Sequence, residues 1–217
     1  MGNTHAEVKS MKNHRPHHIG IIPDGNRRWA VAHGMPKEDG YQHGLKPGLM
    51  LLQQAKEAGI EEITYYGFTV DNCKRPKKQV SSFQKACVDA IDYLSSEGAD
   101  LLVIGNTGSK CFPQELQKYT TRTAVHGGGI RLNFLVNYGW EWDLTHVRKD
   151  GFPYSSDISR IDLVIRWGGM RRLSGFLPLQ SVYADFYVEE KLWPDYEDAD
   201  LKKALEWYEK QDVTYGG

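Results

Sequence analysis

The chain reads as a single α/β domain, a central, mostly parallel sheet flanked by helices. Three observations predict this. Short apolar runs of strand type alternate with longer stretches of helical periodicity, the pattern of strands buried on both faces and joined by crossovers. Polar residues gather just after those runs, where open α/β sheets place their ligand crevice. The 217 residues carry no internal repeat or low-complexity segment, which suits one domain with a sizeable core.

Taken in order, residues 1–17 are polar and bear His and Lys, and read as a flexible arm ahead of a domain spanning 18–217. Ile19 to Ile22 is a strand that breaks at Pro23-Asp24-Gly25-Asn26, a turn signal, and Arg27 to Ala32 can open a helix. Gly34 to Gly48 is punctuated by Gly and Pro, carries Lys37 and His43, and reads as a mobile loop. Leu49 to Ala58 is a helix stopped by Gly59. Glu62 to Phe68 is a strand ending in the polar loop Thr69 to Pro76. From Pro76 to Glu97 a long helix places Val80, Phe83, Cys87, Ala90, Ile91 and Leu94 on one face. Leu101 to Ile104 is a strand, Pro113 to Val125 a polar helix, and Ile130 to Val136 another strand. Trp140 to Ser159 has no convincing period. Ile161 to Ile165 is a strand, Phe176 to Val188 is mixed apolar, and Asp200 to Gln211 is a closing amphipathic helix.

Lys and Arg number 27 against 28 Asp and Glu, for a net charge of −1, so no basic surplus marks a nucleic-acid partner. No apolar run reaches membrane-spanning length, and the first residues lack the apolar core of a secretory signal. The expectation is a cytoplasmic protein with neither nucleic acid nor an integral membrane segment. The three cysteines are odd in number and widely spaced, indicating neither a disulfide framework nor a zinc site; they read as small buried hydrophobes.

The polar sets after the strands are Asp24/Asn26, Thr69/Asn72/Arg75, Asn106, Asn137 and Arg166/Arg172/Ser174. A strand feeding a turn and a helix N-terminus suits a phosphate. Asp24 adds a hard oxygen of the kind Mg²⁺ prefers, Arg28 a cation for phosphoryl oxygens, and Asn26 a group that donates or accepts. An Asp/Asn-capped tight turn explains such a string equally well when it stands alone. Arg166, Arg171 and Arg172 put three guanidiniums near the Ser174 hydroxyl, with Gly168-Gly169 between them for close backbone approach. Asp185, in an otherwise apolar run, is either a surface charge or a second metal ligand. His43 is either a proton shuttle or a loop histidine. Tyr65, Tyr66, Phe68, Trp140, Trp142 and Trp167 are core, or in part the wall of an apolar cavity.

Five stretches occur together in one order: Ile22-Pro-Asp-Gly-Asn-Arg-Arg-Trp-Ala30; Phe68-Thr69 with Asn72 and Arg75-Pro76; Leu132-Asn133 with Asn137-Tyr138-Gly139; Asp162 to Arg166 with Gly168-Gly169 and Arg172-Leu173-Ser174; and Leu192-Trp-Pro-Asp195. The set resembles the conserved regions of the cis-prenyltransferases, the undecaprenyl diphosphate synthase family. The resemblance implies a homodimer with a parallel sheet and an apolar tunnel. It implies that Asp24 coordinates Mg²⁺ on an allylic diphosphate held by Gly25, Asn26, Arg28 and Lys37. Arg27, Trp29, Phe68 and Arg75 join the substrate-binding set, and Arg166, Arg172 and Ser174 bind the acceptor diphosphate. Asn26, His43, Thr69 and Asn72 are the candidates near proton removal, and Asp185 takes a metal-ligand place usually held by Glu.

Several positions depart from the family pattern: Pro23, Arg27, Thr69 to Asp71, Cys73, Trp167, Met170, Gly175, Pro178, and a C-terminal Val213-Thr214-Tyr215 without arginines. The stretch from Trp140 to Ile161 is also short for a chain-elongating member. The pattern resembles short members that couple two dimethylallyl diphosphates head-to-middle and cyclise the product. Regular head-to-tail coupling with isopentenyl diphosphate is one alternative, and a non-catalytic partner subunit is another.

Overall fold

The structure, a computed structural model, describes residues 15–211. It opens with β1 (His18–Ile22), all five residues buried, followed by α1 (Asn26–Ala32), α2 (Gly40–His43) and α3 (Leu45–Glu57). Then come β2 (Glu62–Thr69), α4 (Lys77–Ser95), β3 (Ala99–Ile104), β4 (Thr123–Val125), β5 (Arg131–Tyr138) and α5 (Trp140–Thr145). β6 (Leu163–Arg166), β7 (Asp185–Val188) and α6 (Asp198–Tyr208) complete the fold.

The seven strands form one sheet in the order β4-β3-β5-β2-β1-β6-β7. Every pair is parallel except β3–β4. Side chains alternate between faces. Ile19, Ile21, Ile63, Tyr65, Leu101, Val103, Leu132 and Phe134 enter one core with Leu51, Leu52, Ala55, Cys87, Ile91 and Leu94 of α3 and α4 and Leu201 and Ala204 of α6. Tyr66, Leu102, Ile104, Leu135, Tyr138 and Val164 face the other way, under Ile158, Ile161, Phe176 and Leu177 with Trp142 of α5 beside them. The long helices therefore lie on one face and short elements on the other. Beyond that second face, Trp140, Leu144, Val147, Phe152, Leu179, Val182 and Tyr183 leave 42–66 % of their surface exposed.

The structure departs from the sequence reading in four places. Gly34 to Gly48 is not an open loop: it holds a 3₁₀ turn at Lys37–Asp39, α2 and the start of α3. Pro47 is the third residue of α3, within the first turn, where its missing N–H has no intrahelical partner to lose. Pro113 to Val125 contains a 3₁₀ turn, Gln114–Tyr119, and then the antiparallel edge strand β4. β7 emerges from the mixed run, where no clean alternation marked it. Finally, Cys73 and Cys111 are joined as a disulfide, their Cα atoms 6.1 Å apart. Only Cys87 behaves as a buried small hydrophobe, with burial pushing its thiol up to about 12.

Of the expected arm, residues 1–14 lie outside the described residues. Arg15 donates to the Ala58 carbonyl, and the His17 amide to Asp162 Oδ2. No helix among the described residues is long and apolar enough to cross a membrane.

Candidate active site

β1 has β2 on one side and β6 on the other, and the chain leaves this centre in opposite directions. The carboxyl ends here are the topological switch point at which open α/β sheets bind ligands. A cavity of about 790 Å³ opens there, lined by Asp24, Gly25, Asn26, Arg27, Arg28, Lys37, Thr69, Asn72, Arg75, Arg166 and Ser174, with Tyr41, Tyr66 and Phe83 among its walls. Most of the residues singled out from sequence meet at this one place.

The turn after β1 is shaped by Gly25, whose φ of +113° suits glycine and whose Cβ would lie 2.8 Å from Leu192 Cδ2. Gly25 precedes α1 without any side-chain cap. Asp24, about a third exposed, holds two guanidiniums: Arg166 Nη2 lies 2.8 Å from its Oδ2 and Arg28 Nη2 3.6 Å from its Oδ1. Arg28 also donates to the Gly168 carbonyl at 3.0 Å. Arg166, nearly buried at the end of β6, donates through Nη1 to the Arg172 carbonyl and, at 2.9 Å, to Ser174 Oγ. Asn26 Nδ2 is held by the Pro23 carbonyl, while its Oδ1 is buried without a hydrogen-bond partner.

Thr69 and Asn72 line the cavity but cap each other's backbone, Thr69 N to Asn72 Oδ1 at 3.0 Å and Asn72 N to Thr69 Oγ1 at 3.3 Å. This capping box starts the 3₁₀ turn Val70–Lys74, so their oxygens already serve the loop. Arg75 donates to the Tyr41 hydroxyl at 3.0 Å and lies 5.7 Å from the Phe83 ring centre. The Tyr41 and Phe83 rings stack at 4.3 Å, 2° from parallel.

Other candidates sit apart from the cavity. His43 is exposed and rests against Trp29, ring centres 4.5 Å apart, and Trp29 donates to Asp195 at 2.6 Å. Phe68 is fully buried, edge-on to Phe83 at 5.1 Å. The Arg172 side chain is exposed; its carbonyl, not its guanidinium, meets Arg166. Asp185, expected as a second metal ligand, is outside the residues that line the cavity. It starts β7 beside Leu163, whereas Arg166, which touches Asp24, pairs with Val188. Three residues along a strand separate the two levels by about 10 Å.

Among the described residues no group of three or more His, Cys, Asp or Glu could cage a metal. Mg²⁺ does not need such a cage, since it is commonly held by one or two carboxylates together with substrate phosphate oxygens and water. Asp24, a partly exposed carboxylate among cations at a cavity, fits that mode. A second cavity, of about 80 Å³, adjoins the first and shares Pro23, Asn26, Tyr41, Gly67 and Phe83 with it. Its walls are apolar, with Leu45, Tyr65, Ala86, Cys87, Ala90, Leu94, Phe134, Val136 and Trp193. Sequence reasoning missed Tyr41, placed in a loop, and counted Phe83 only as core. Phe83 was detectable, because Phe83, Cys87, Ala90 and Leu94 recur on one face of α4.

Cations, the Asp24 and Asp71 carboxylates and an adjoining apolar, aromatic-walled recess at a switch point suit a diphosphate bearing an apolar group. The family model for putative undecaprenyl diphosphate synthases matches residues 22–216, and the chain belongs to that family, the cis-prenyltransferases. It is 32 % identical over 230 residues to the (2E,6E)-farnesyl-diphosphate-specific ditrans,polycis-undecaprenyl-diphosphate synthase of Pectobacterium atrosepticum, covering 93 % of this chain and 90 % of that one. It is 29 % identical to an isoprenyl transferase of Clostridium perfringens, covering 97 % and 94 %. The structure of lavandulyl diphosphate synthase from Lavandula x intermedia, in complex with dimethylallyl diphosphate, superposes with a TM-score of 0.78 at 24 % identity, covering 94 % of this chain and 99 % of that one.

Proposed function

We propose that this cis-prenyltransferase is a Mg²⁺-dependent short-chain enzyme that couples two dimethylallyl diphosphates head-to-middle and closes the product to a cyclolavandulyl-type ten-carbon diphosphate. The observation that carries the short product is the apolar cavity behind the site, about 80 Å³. At about 30 Å³ per water-sized group it accepts about three such groups, no more than one five-carbon tail. The dimethylallyl diphosphate named for the lavandulyl synthase and the departures at Trp167, Met170, Gly175 and Pro178 support the irregular acceptor.

In this reading Arg27, Arg28 and Lys37 hold the donor diphosphate, and Asp24 would hold Mg²⁺ against it. The metal supplies positive charge to the leaving diphosphate. Arg166 and Ser174 hold the second diphosphate. The donor C1–O bond breaks with its electron pair on the diphosphate, and the acceptor double bond supplies the pair for the new C–C bond. A proton moves from a methyl beside the first cation to the prenyl double bond, the new terminal alkene attacks the resulting tertiary cation to close the ring, and the final cation loses one proton. Tyr41 and Phe83 exclude water and offer aromatic faces to the cation. Asn26 Oδ1, a buried acceptor without a partner, orients the substrate group nearest it. A homodimer through the exposed apolar residues of the second sheet face completes the proposal.

A regular synthase using isopentenyl diphosphate is the second reading, favoured by the stretch Arg172-Leu173-Ser174. Incubation with Mg²⁺ and dimethylallyl diphosphate alone, then with isopentenyl diphosphate added, separates the two by gas chromatography–mass spectrometry of the dephosphorylated products. A branched or cyclic ten-carbon alcohol from dimethylallyl diphosphate alone is expected. Product only with isopentenyl diphosphate overturns the irregular coupling.

A further inference from the structure

Ser174 is not a glycine, yet its φ is +53°, in a stretch where Gly168, Gly169 and Gly175 also take positive φ. A side chain in this region is sparsely populated and persists when its surroundings over-determine it. Two side chains do so here. Arg166 Nη1 binds the Arg172 carbonyl and Ser174 Oγ, tying the loop to β6. Tyr66, on β2, donates its hydroxyl to the Ser174 carbonyl at 2.9 Å, tying it to the neighbouring half of the sheet.

The Tyr66 ring is fixed independently of that bond. It packs 5.3 Å from Phe176 and edge-on to Tyr138 at 6.4 Å, within the second core. Burial pushes its phenol well above the usual range, so it remains a donor at any working pH. Its face lines the larger cavity beside Arg166 and Ser174.

We infer that Tyr66 is the positioning residue of the second diphosphate subsite: its hydroxyl holds the Ser174 backbone left-handed, so that the Ser174 Oγ and the Arg166 guanidinium stand side by side for an anion once the Asp24–Arg166 pair opens. The inference rests on the proposed role of Arg166 and Ser174. Tyr66 acts through Ser174 and need not touch the substrate.

The test is calorimetric titration of the non-ionising analogue dimethylallyl S-thiolodiphosphate, with Mg²⁺, into the full chain. Wild type is expected to show two sites. Tyr66→Phe keeps the packing and removes only the donor; it should weaken one site about tenfold and leave the other, with the melting temperature, unchanged. Ser174→Ala should weaken that same site, and adding Tyr66→Phe to it should bring little further loss. Equal weakening of both sites, or a multiplicative double variant, overturns the inference. If Arg166→Met and Ser174→Ala both leave the two affinities intact, the subsite reading itself fails. If they weaken one site and Tyr66→Phe does not, only the positioning role fails.

Discussion

Phe83→Ala tests what limits the apolar recess. The ring stacks on Tyr41 at 4.3 Å, meets Phe68 edge-on at 5.1 Å and has Arg75 5.7 Å above it. Two aromatic pairs at about 0.5–1.5 kcal/mol each, and one cation–π contact at about 0.5–1 kcal/mol, are lost. Since Phe83 is only partly buried, the total stays near 3 kcal/mol, the lower end for Phe→Ala. For a chain of this size that lowers Tm by about 6–12 °C, leaving a folded enzyme at 25 °C. The wall shared by the two cavities is then gone, and the Arg75–Tyr41 bond loses its support. The variant should accept geranyl or farnesyl diphosphate with isopentenyl diphosphate and release longer alcohols, read by mass spectrometry, whereas wild type should not. A folded Phe83→Ala enzyme with the wild-type product spectrum refutes the idea that this stack sets the limit.

Three further outcomes are expected. Asp24→Ala should reduce turnover about a hundred- to a thousandfold while leaving the fold intact by circular dichroism; near wild-type turnover removes the metal role. On acidification, unfolding free energy from urea melts should begin to fall near pH 6.5, where His18 starts to titrate in the unfolded chain, and fall further below about pH 4.5, where Glu62 does. Burial depresses the His18 pKa, and Glu62, despite burial that raises it, is held low overall by His18, Ser159, Asn133 and Arg131. Both groups then bind fewer protons folded than unfolded, so stability is present above the unfolded values and drains as pH falls; His18→Gln should flatten the upper part of that slope, and an unchanged slope contradicts the assignment. Val182→Glu, on the exposed apolar face, should shift the species seen by light scattering to a monomer, and wild type that is already monomeric defeats the homodimer proposal.

Much of this architecture was legible in the sequence, and the reasons for the rest are physical. β1, β2, β3, β5 and β6 are apolar runs buried on both faces, so composition alone marks them. The turn at Asp24 and the Arg166–Ser174 loop were likewise visible, not from either string alone but because polar sets follow five strand ends of one sheet. β7 and β4 were not, since both lie at the sheet edges, where one neighbour is missing and burial is partial. His43 and Asp185 were assigned by motif, and sequence spacing does not say which side of a helix, or which end of a strand, a side chain occupies. Tyr66 counted as one aromatic among several; its hydroxyl matters only because the sheet order brings β2 to within reach of the loop after β6. Cys73 and Cys111, 38 residues apart, meet for the same reason.

The ion pair between Asp24 and Arg166 has a consequence for how the enzyme meets its ligands. The carboxylate that a cation would take and the guanidinium that an anion would take neutralise each other at 2.8 Å. Neither free Mg²⁺ nor free phosphate finds a ready partner, because each must first separate the pair. A cation on Asp24 releases Arg166, and an anion on Arg166 releases Asp24, so each lowers the cost of the other by the same free energy. Magnesium affinity should accordingly rise in the presence of diphosphate, and Arg166→Gln should erase that rise. The site is thus quiet toward the common ions of the cell and responsive when opposite charges arrive together.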